Sequence, residues 1–193
     1  MINKLLLVFL TFLFCANFSL NAQKVIHILP LGNVSNDITK VIENAVLKFY
    51  GYKCVVKPKV PYTKDILADS KTRYEASRIL AKYKSKENLL IITDKDIAFK
   101  KGDIKEYGIF GLGYRPGSTC VISTFRIKKN VSLNVFDERL KKICLHEIGH
   151  NLGLNHCTSG NSKCMMNDAK GTIKQVDREE IYFCNTCSQQ LGK

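Results

Sequence analysis

The stretch His146-Glu147-Ile148-Gly149-His150-Asn151-Leu152-Gly153-Leu154-Asn155-His156-Cys157 holds three of the chain's four histidines. On a helix, positions i and i+4 share a face, about 5–6 Å apart at Cβ. His146 and His150 can therefore grip one ion together. Zinc accepts imidazole nitrogen at about 2.0–2.1 Å, which suits that separation. Glu147 follows the first histidine and can lean over an open coordination position, where it can take a proton from water as general base. Gly153 can adopt φ > 0, end the helix and fold the chain back, so that His156 supplies a third ligand. Three protein ligands with a fourth place left for water are the pattern of a catalytic zinc site. His27, alone in an apolar run, reads instead as a satisfied core residue.

Directly after His156 comes Cys157, then Cys164, and Cys184-Asn185-Thr186-Cys187 near the C-terminus. A CxxC can place two sulfurs on one ion, and Cys157 with Cys164 would complete a tetrahedral four-thiolate zinc site. Disulfides are the alternative in an oxidising compartment. Cys54, Cys120 and Cys144 are an odd number, so at least one thiol stays free; they read as core cysteines. The eighth, Cys15, lies in the N-terminal segment.

These residues together resemble the archaemetzincins, a branch of the metzincin zinc peptidases. The resemblance runs from His146 to Cys157, then Cys164-Met165-Met166, then Cys184-x-x-Cys187. Thr93-Asp94-Lys95-Asp96-Ile97, Phe110-Gly111 and Val121-Ile122-Ser123 look like less specific landmarks of the same family. It implies two Zn²⁺ per chain: a catalytic ion on His146, His150 and His156, and a structural ion on Cys157, Cys164, Cys184 and Cys187. Glu147 would be the general base. Met166 would be the Met-turn residue, an apolar floor beneath the catalytic ion, with Met165 as the weaker alternative. By analogy with metzincins, an extended peptide would lie along an edge strand, for which Gly108–Tyr114 is the candidate. Six residues separate Cys157 from Cys164 where the family pattern has four; a longer loop costs little entropy.

Outward from this motif, Lys24–Leu29 reads as a strand closed by Pro30, and Ser35 or Asn36 as the start of a helix to Tyr50. Tyr52–Lys57, Asn88–Thr93 and Ser118–Ile127 read as strands, and Tyr74–Lys84 and Asp137–Leu152 as helices. Asp177 with Glu180 resembles a capping box for a last helix over 178–190. The fold class is α+β (mixed α/β). The resemblance makes it a metzincin-like zincin fold: a twisted mixed sheet with two helices, an active-site helix and a zinc-bound C-terminal helical segment.

Residues 1–22, with Lys4 as their only charge and an apolar run Leu5–Cys15, read as a secretory signal peptide cleaved after Ala22. An uncleaved anchor is the alternative, although that run is short of the about 20 residues a span requires. Residues 23–193 then form a single metallopeptidase domain, secreted or periplasmic, and expected to be a monomer with no membrane span. At 193 residues, 45% hydrophobic and 24% charged, the chain is neither disordered nor a polytopic membrane protein. Loss of Lys4 lowers the net charge only from +13 to +12. That favours acidic partners or anionic surfaces, so the expected substrate is a peptide or protein, acidic ones included. The lysines are scattered without interleaved aromatics, which argues against nucleic acid. Two rival functions remain at this point: a zinc-stabilised binding or regulatory protein with little turnover, and a hydrolase of non-peptide amides.

Overall fold

The computed structural model describes residues 24–192. The segment read as a signal peptide lies outside them. Five strands form the main sheet: β1 (Val25–Leu31), β2 (Lys53–Val56), β4 (Leu89–Thr93), β7 (Gly111–Gly113) and β8 (Thr119–Ser123), in the order β2-β1-β4-β8-β7. All neighbours are parallel except β7, which runs antiparallel to β8 at the edge. A second sheet pairs β3 (Tyr74–Glu75), β5 (Ile97–Lys101) and β6 (Ile104–Ile109). The helices are α1 (Asn36–Tyr50), α2 (Ala76–Lys82), α3 (Leu133–Asn151), α4 (Ile173–Arg178) and α5 (Asn185–Gln190).

Side chains alternate across a strand, and that alternation divides the core in two. Ile26, Ile28, Leu90, Ile92, Cys120 and Ile122 face α1 and α3, with Ile42, Val46, Leu140 and Cys144 packed on them. Leu29, Leu31, Leu89, Ile91 and Val121 face the other way, onto Ile79 and Leu80 of α2 and onto Ile97 and Ile109 of the second sheet. A strand covered on both faces must be apolar throughout, and all five residues of β4 are buried.

The sequence-read boundaries shift for identifiable reasons. Strand β1 passes through Pro30. The Pro30 carbonyl points to Val60 N–H (3.0 Å), beyond the last β1–β2 pair at Ile28 and Val56, so the missing N–H removes no ladder bond. Residues Tyr74 and Glu75 pair with β5 before the helix begins. The candidate edge strand Gly108–Tyr114 is split at Phe110: β6 belongs to the second sheet, and only Gly111–Gly113 is the edge of the first. Helix α3 starts at Leu133, ahead of the expected Asp137, because the Ser132 hydroxyl accepts from Val135 N–H at 3.5 Å. The expected helix over 178–190 is replaced by two short ones, and Asp177 caps nothing.

Asp177 instead takes both oxygens to Arg139, whose Nε and Nη2 each donate at 2.7 Å, while Nη1 donates to the Ile127 carbonyl at 3.1 Å. Arg139 is 8% exposed, so this pair ties α4 to α3. Asp177→Asn should cost about 1–3 kcal/mol, less than a fully buried pair because Asp177 is itself half-exposed. The Arg139 guanidinium holds the Asp177 carboxyl below its ordinary range. The pair's contribution is therefore complete above the unfolded carboxylate's pKa of about 3.9 and is lost as pH falls through the folded one. Thermal melts of both proteins should differ at pH 7 and converge toward pH 2.

Candidate active site and metal centres

Helix α3 carries His146 and His150 one turn apart, and their ring centroids are 4.6 Å from each other. After Asn151 the chain reverses. Gly153 holds φ +103°, its N–H donates to the His150 carbonyl at 2.9 Å, and Leu154 N–H donates to the Gly149 carbonyl at 3.0 Å. That reversal returns His156 to 5.4 Å from His146 and 4.9 Å from His150, centroid to centroid. One nitrogen from each ring lies within 4.8 Å of the others.

Two backbone carbonyls fix which nitrogens face the cleft. His146 Nδ1 lies 2.7 Å from the Met165 carbonyl, and His150 Nδ1 lies 2.7 Å from the Leu154 carbonyl. A carbonyl only accepts, so each Nδ1 carries the proton and each Nε2 keeps its lone pair. Burial, then the neighbouring imidazoles, lower His146 to about 3; burial also lowers His150 and His156. All three are neutral, as metal ligands must be.

Glu147 points across to the sheet edge. It is 6% exposed, its Oε2 has no hydrogen-bond partner among the described residues, and burial raises its carboxyl to about 8, a shift that a cation on the histidines would oppose by favouring the charged form. Strand β7 passes over it closely enough that any side chain at Gly111 or Gly113 would crowd it. A Cβ on Gly111 would lie 2.5 Å from Glu147 Oε1, and one on Gly113 3.0 Å from the Glu147 carbonyl oxygen. Gly111→Ala meets the movable tip of a side chain, so the fold should survive while the carboxylate is displaced. Displacements of about 1 Å cost on the order of 10²-fold in rate. A thermal midpoint near wild type together with a large drop in kcat/KM would verify it.

The second cluster sits below. Sγ atoms of Cys157, Cys164, Cys184 and Cys187 all lie within 4.8 Å of one another, with Cys157 to Cys184 at 3.5 Å and Cys164 to Cys187 at 3.7 Å. All seven described cysteines are unpaired. The longer loop after Cys157 closes without displacing Cys164, which is fully buried. Cys184 N–H points at Cys164 Sγ (3.4 Å). Burial raises the Cys184 thiol, but hydrogen bonds from Ser159 and the backbone of Cys187 outweigh it and hold the thiol below its usual range. Between the clusters, fully buried Met166 lies against Gly149: a Cβ there would meet its Sδ at 2.7 Å.

Both donor sets fit zinc. Three neutral imidazoles beside an unpartnered buried carboxylate suit an ion with an open position, and four converging thiols suit a closed tetrahedral one. Four thiolates packed together without a cation would be prohibitively costly.

A cavity of about 460 Å³ surrounds the histidines. Lys101, Arg115, Lys142, Asp168, Lys170 and Glu179 line it, and none was singled out for the site in the sequence. Nor were the carbonyls of Met165 and Leu154, since a backbone acceptor leaves no mark on residue type. His27 is only half-buried; its Nε2 faces Glu87 at 3.3 Å and its Nδ1 has no partner among the described residues, so it is neither a ligand of this site nor a satisfied core residue.

Comparison with known proteins agrees with this geometry. The family model described as Peptidase family M54 matches residues 34–193. Archaemetzincin of Archaeoglobus fulgidus is 31% identical over 166 residues, covering 86% of this chain and 98% of its own. That of Halobacterium salinarum is 29% identical over 177 residues, with the same coverages. The crystal structure of the A. fulgidus archaemetzincin complexed with malonate superposes with a TM-score of 0.76 at 30% identity, over 86% of this chain and 99% of that one. The archaemetzincin of Methanopyrus kandleri shares the fold, with a TM-score of 0.74 at 22% identity over 91% and 97% of the two chains. The chain belongs to peptidase family M54, the archaemetzincins.

Proposed function

We propose that this zinc metallopeptidase hydrolyses peptide bonds with Glu147 as general base, and that it holds two zinc ions. His146, His150 and His156 would bind the catalytic one, and Cys157, Cys164, Cys184 and Cys187 the structural one. Zinc, when bound, supplies a Lewis acid that draws down the pKa of adjacent water and polarises the scissile carbonyl. The observation that carries the reading is Glu147: a buried carboxyl whose Oε2 has no partner among the described residues, beside three imidazoles that each bring one ring nitrogen within 4.8 Å of the others. Glu147 takes the proton from the attacking water and returns it to the leaving amine. No covalent intermediate is required. The outer edge of β7 carries no strand among the described residues. It offers backbone donors and acceptors to an extended peptide, and Gly111 and Gly113 let that peptide approach Glu147. Met166 forms the apolar floor.

The test is a diverse peptide library, read by mass spectrometry, with the zinc-loaded chain and with Glu147→Ala at equal zinc content. Cuts made by the first and absent from the second support the reading. Identical products from both overturn it. From residues 1–22 we also infer export, with the chain acting as a monomer on peptides outside the cytoplasm. Fractionation of the producing cells, with N-terminal sequencing for a start at Gln23, tests that part.

A further inference from the structure

The cleft does not end at the histidines. It runs back along α3 past Ile143 to Lys142, one turn before His146, where α4 meets it. Phe99, Tyr107, Ile109 and Val176 give this part apolar walls. At its closed end stands Glu179, the residue that terminates α4 and is only 5% exposed. Its Oε1 accepts from Gln175 Nε2 at 3.1 Å, the one hydrogen bond to this carboxylate among the described residues. Lys142 is near enough to favour the charged form, yet its Nζ donates to the Val176 carbonyl at 3.0 Å. Lys101, Arg115 and Lys170, which also line the cavity, are all exposed. Burial outweighs Gln175 and Lys142 and raises Glu179 to about 7.

A carboxylate that lines a cavity and is short of donors is costly as it stands. The proposed hydrolysis does not use it. A substrate group that brought a donor would relieve the cost. Apolar walls ending in an acid match a side chain with an apolar stem and a cationic tip. Resting on the peptidase reading above, we propose that Glu179 determines specificity: the closed end of the cleft receives a lysine or arginine side chain from the residue beside the scissile bond. Glu179 touches the substrate side chain and takes no part in the bond-breaking step.

Glu179→Gln keeps the shape and the bond to Gln175, so its thermal midpoint should match wild type. Both zinc-loaded proteins are given one peptide sequence with Lys, Arg, Leu or Glu at the positions flanking the cut. Wild type should favour Lys and Arg over Leu in kcat/KM by about tenfold or more, the order contributed by a charge-assisted hydrogen bond in a dry site. Glu179→Gln should lose that ratio while cutting the Leu peptide as before. Fluorescence anisotropy of the same peptides on Glu147→Ala, with and without Glu179→Gln, reads the preference without turnover. A wild type indifferent to Lys and Arg, or a preference that survives in Glu179→Gln, overturns the proposal. If no peptide is cut by any of these proteins, the peptidase reading fails, and the anisotropy comparison still decides the pocket.

Discussion

Cys184→Ser is expected to remove one zinc ion per chain and cause the largest loss of stability of any single change considered. Cys164, Cys184 and Cys187 are at most 7% exposed, and with Leu154 and Met166 they form a small core of their own. That core has little apolar area to hold it without a metal. Structural zinc contributes about 10–16 kcal/mol to folding in isolated fingers. Here the rest of the domain supports the segment, so we expect a loss of about 4 kcal/mol, the magnitude associated with a lost metal site. For a domain of this size that lowers the thermal midpoint by about 8–16 °C. The loss should begin in the C-terminal segment, where proteolysis would cut first. A variant with two zincs and the wild-type midpoint would show that the four sulfurs hold no ion.

His156→Ala should do the reverse. His156 is exposed, and among the described residues no hydrogen bond ties its ring to the fold, unlike His146 and His150. Its removal should leave the melting curve almost unchanged. It would also take one of three ligands from the catalytic ion. Losing a mere outer partner of a ligand costs about 10- to 100-fold in affinity or activity, and loss of the ligand itself should exceed that. Zinc titration and kcat/KM on one peptide check both halves. Together the two variants separate the ions: one change destabilises without touching the reacting groups, and the other silences without destabilising.

Both candidate metal clusters were legible because metal ligands must be particular residue types at particular spacings. His146, His150 and His156 announce themselves, and Cys184-x-x-Cys187 does nearly as well. Helix α1 was legible from its periodic apolar face, ending at Gly51 with φ +71°. The second sheet was not. Its β5–β6 hairpin is largely exposed beyond Ala98 and rich in lysine, so its alternation is faint. The Gly102-Asp103 turn between its strands was the available signal. Asp177 and Glu180 have the spacing of a capping box, but a buried arginine elsewhere in the fold claimed Asp177. Glu179 was invisible because nothing local distinguishes a cleft carboxylate from a surface one; the crossing of α3 and α4 makes it so.

The most direct test is anomalous diffraction at the zinc edge from crystals of the zinc-loaded chain. Two peaks are expected, one within bonding distance of Nε2 of His146 and His150 and of a ring nitrogen of His156, and one amid the sulfurs of Cys157, Cys164, Cys184 and Cys187. The first should have a coordination position open toward Glu147, and the second should have none. No peak among the histidines, or a histidine site closed by a fourth protein ligand, would contradict this reading.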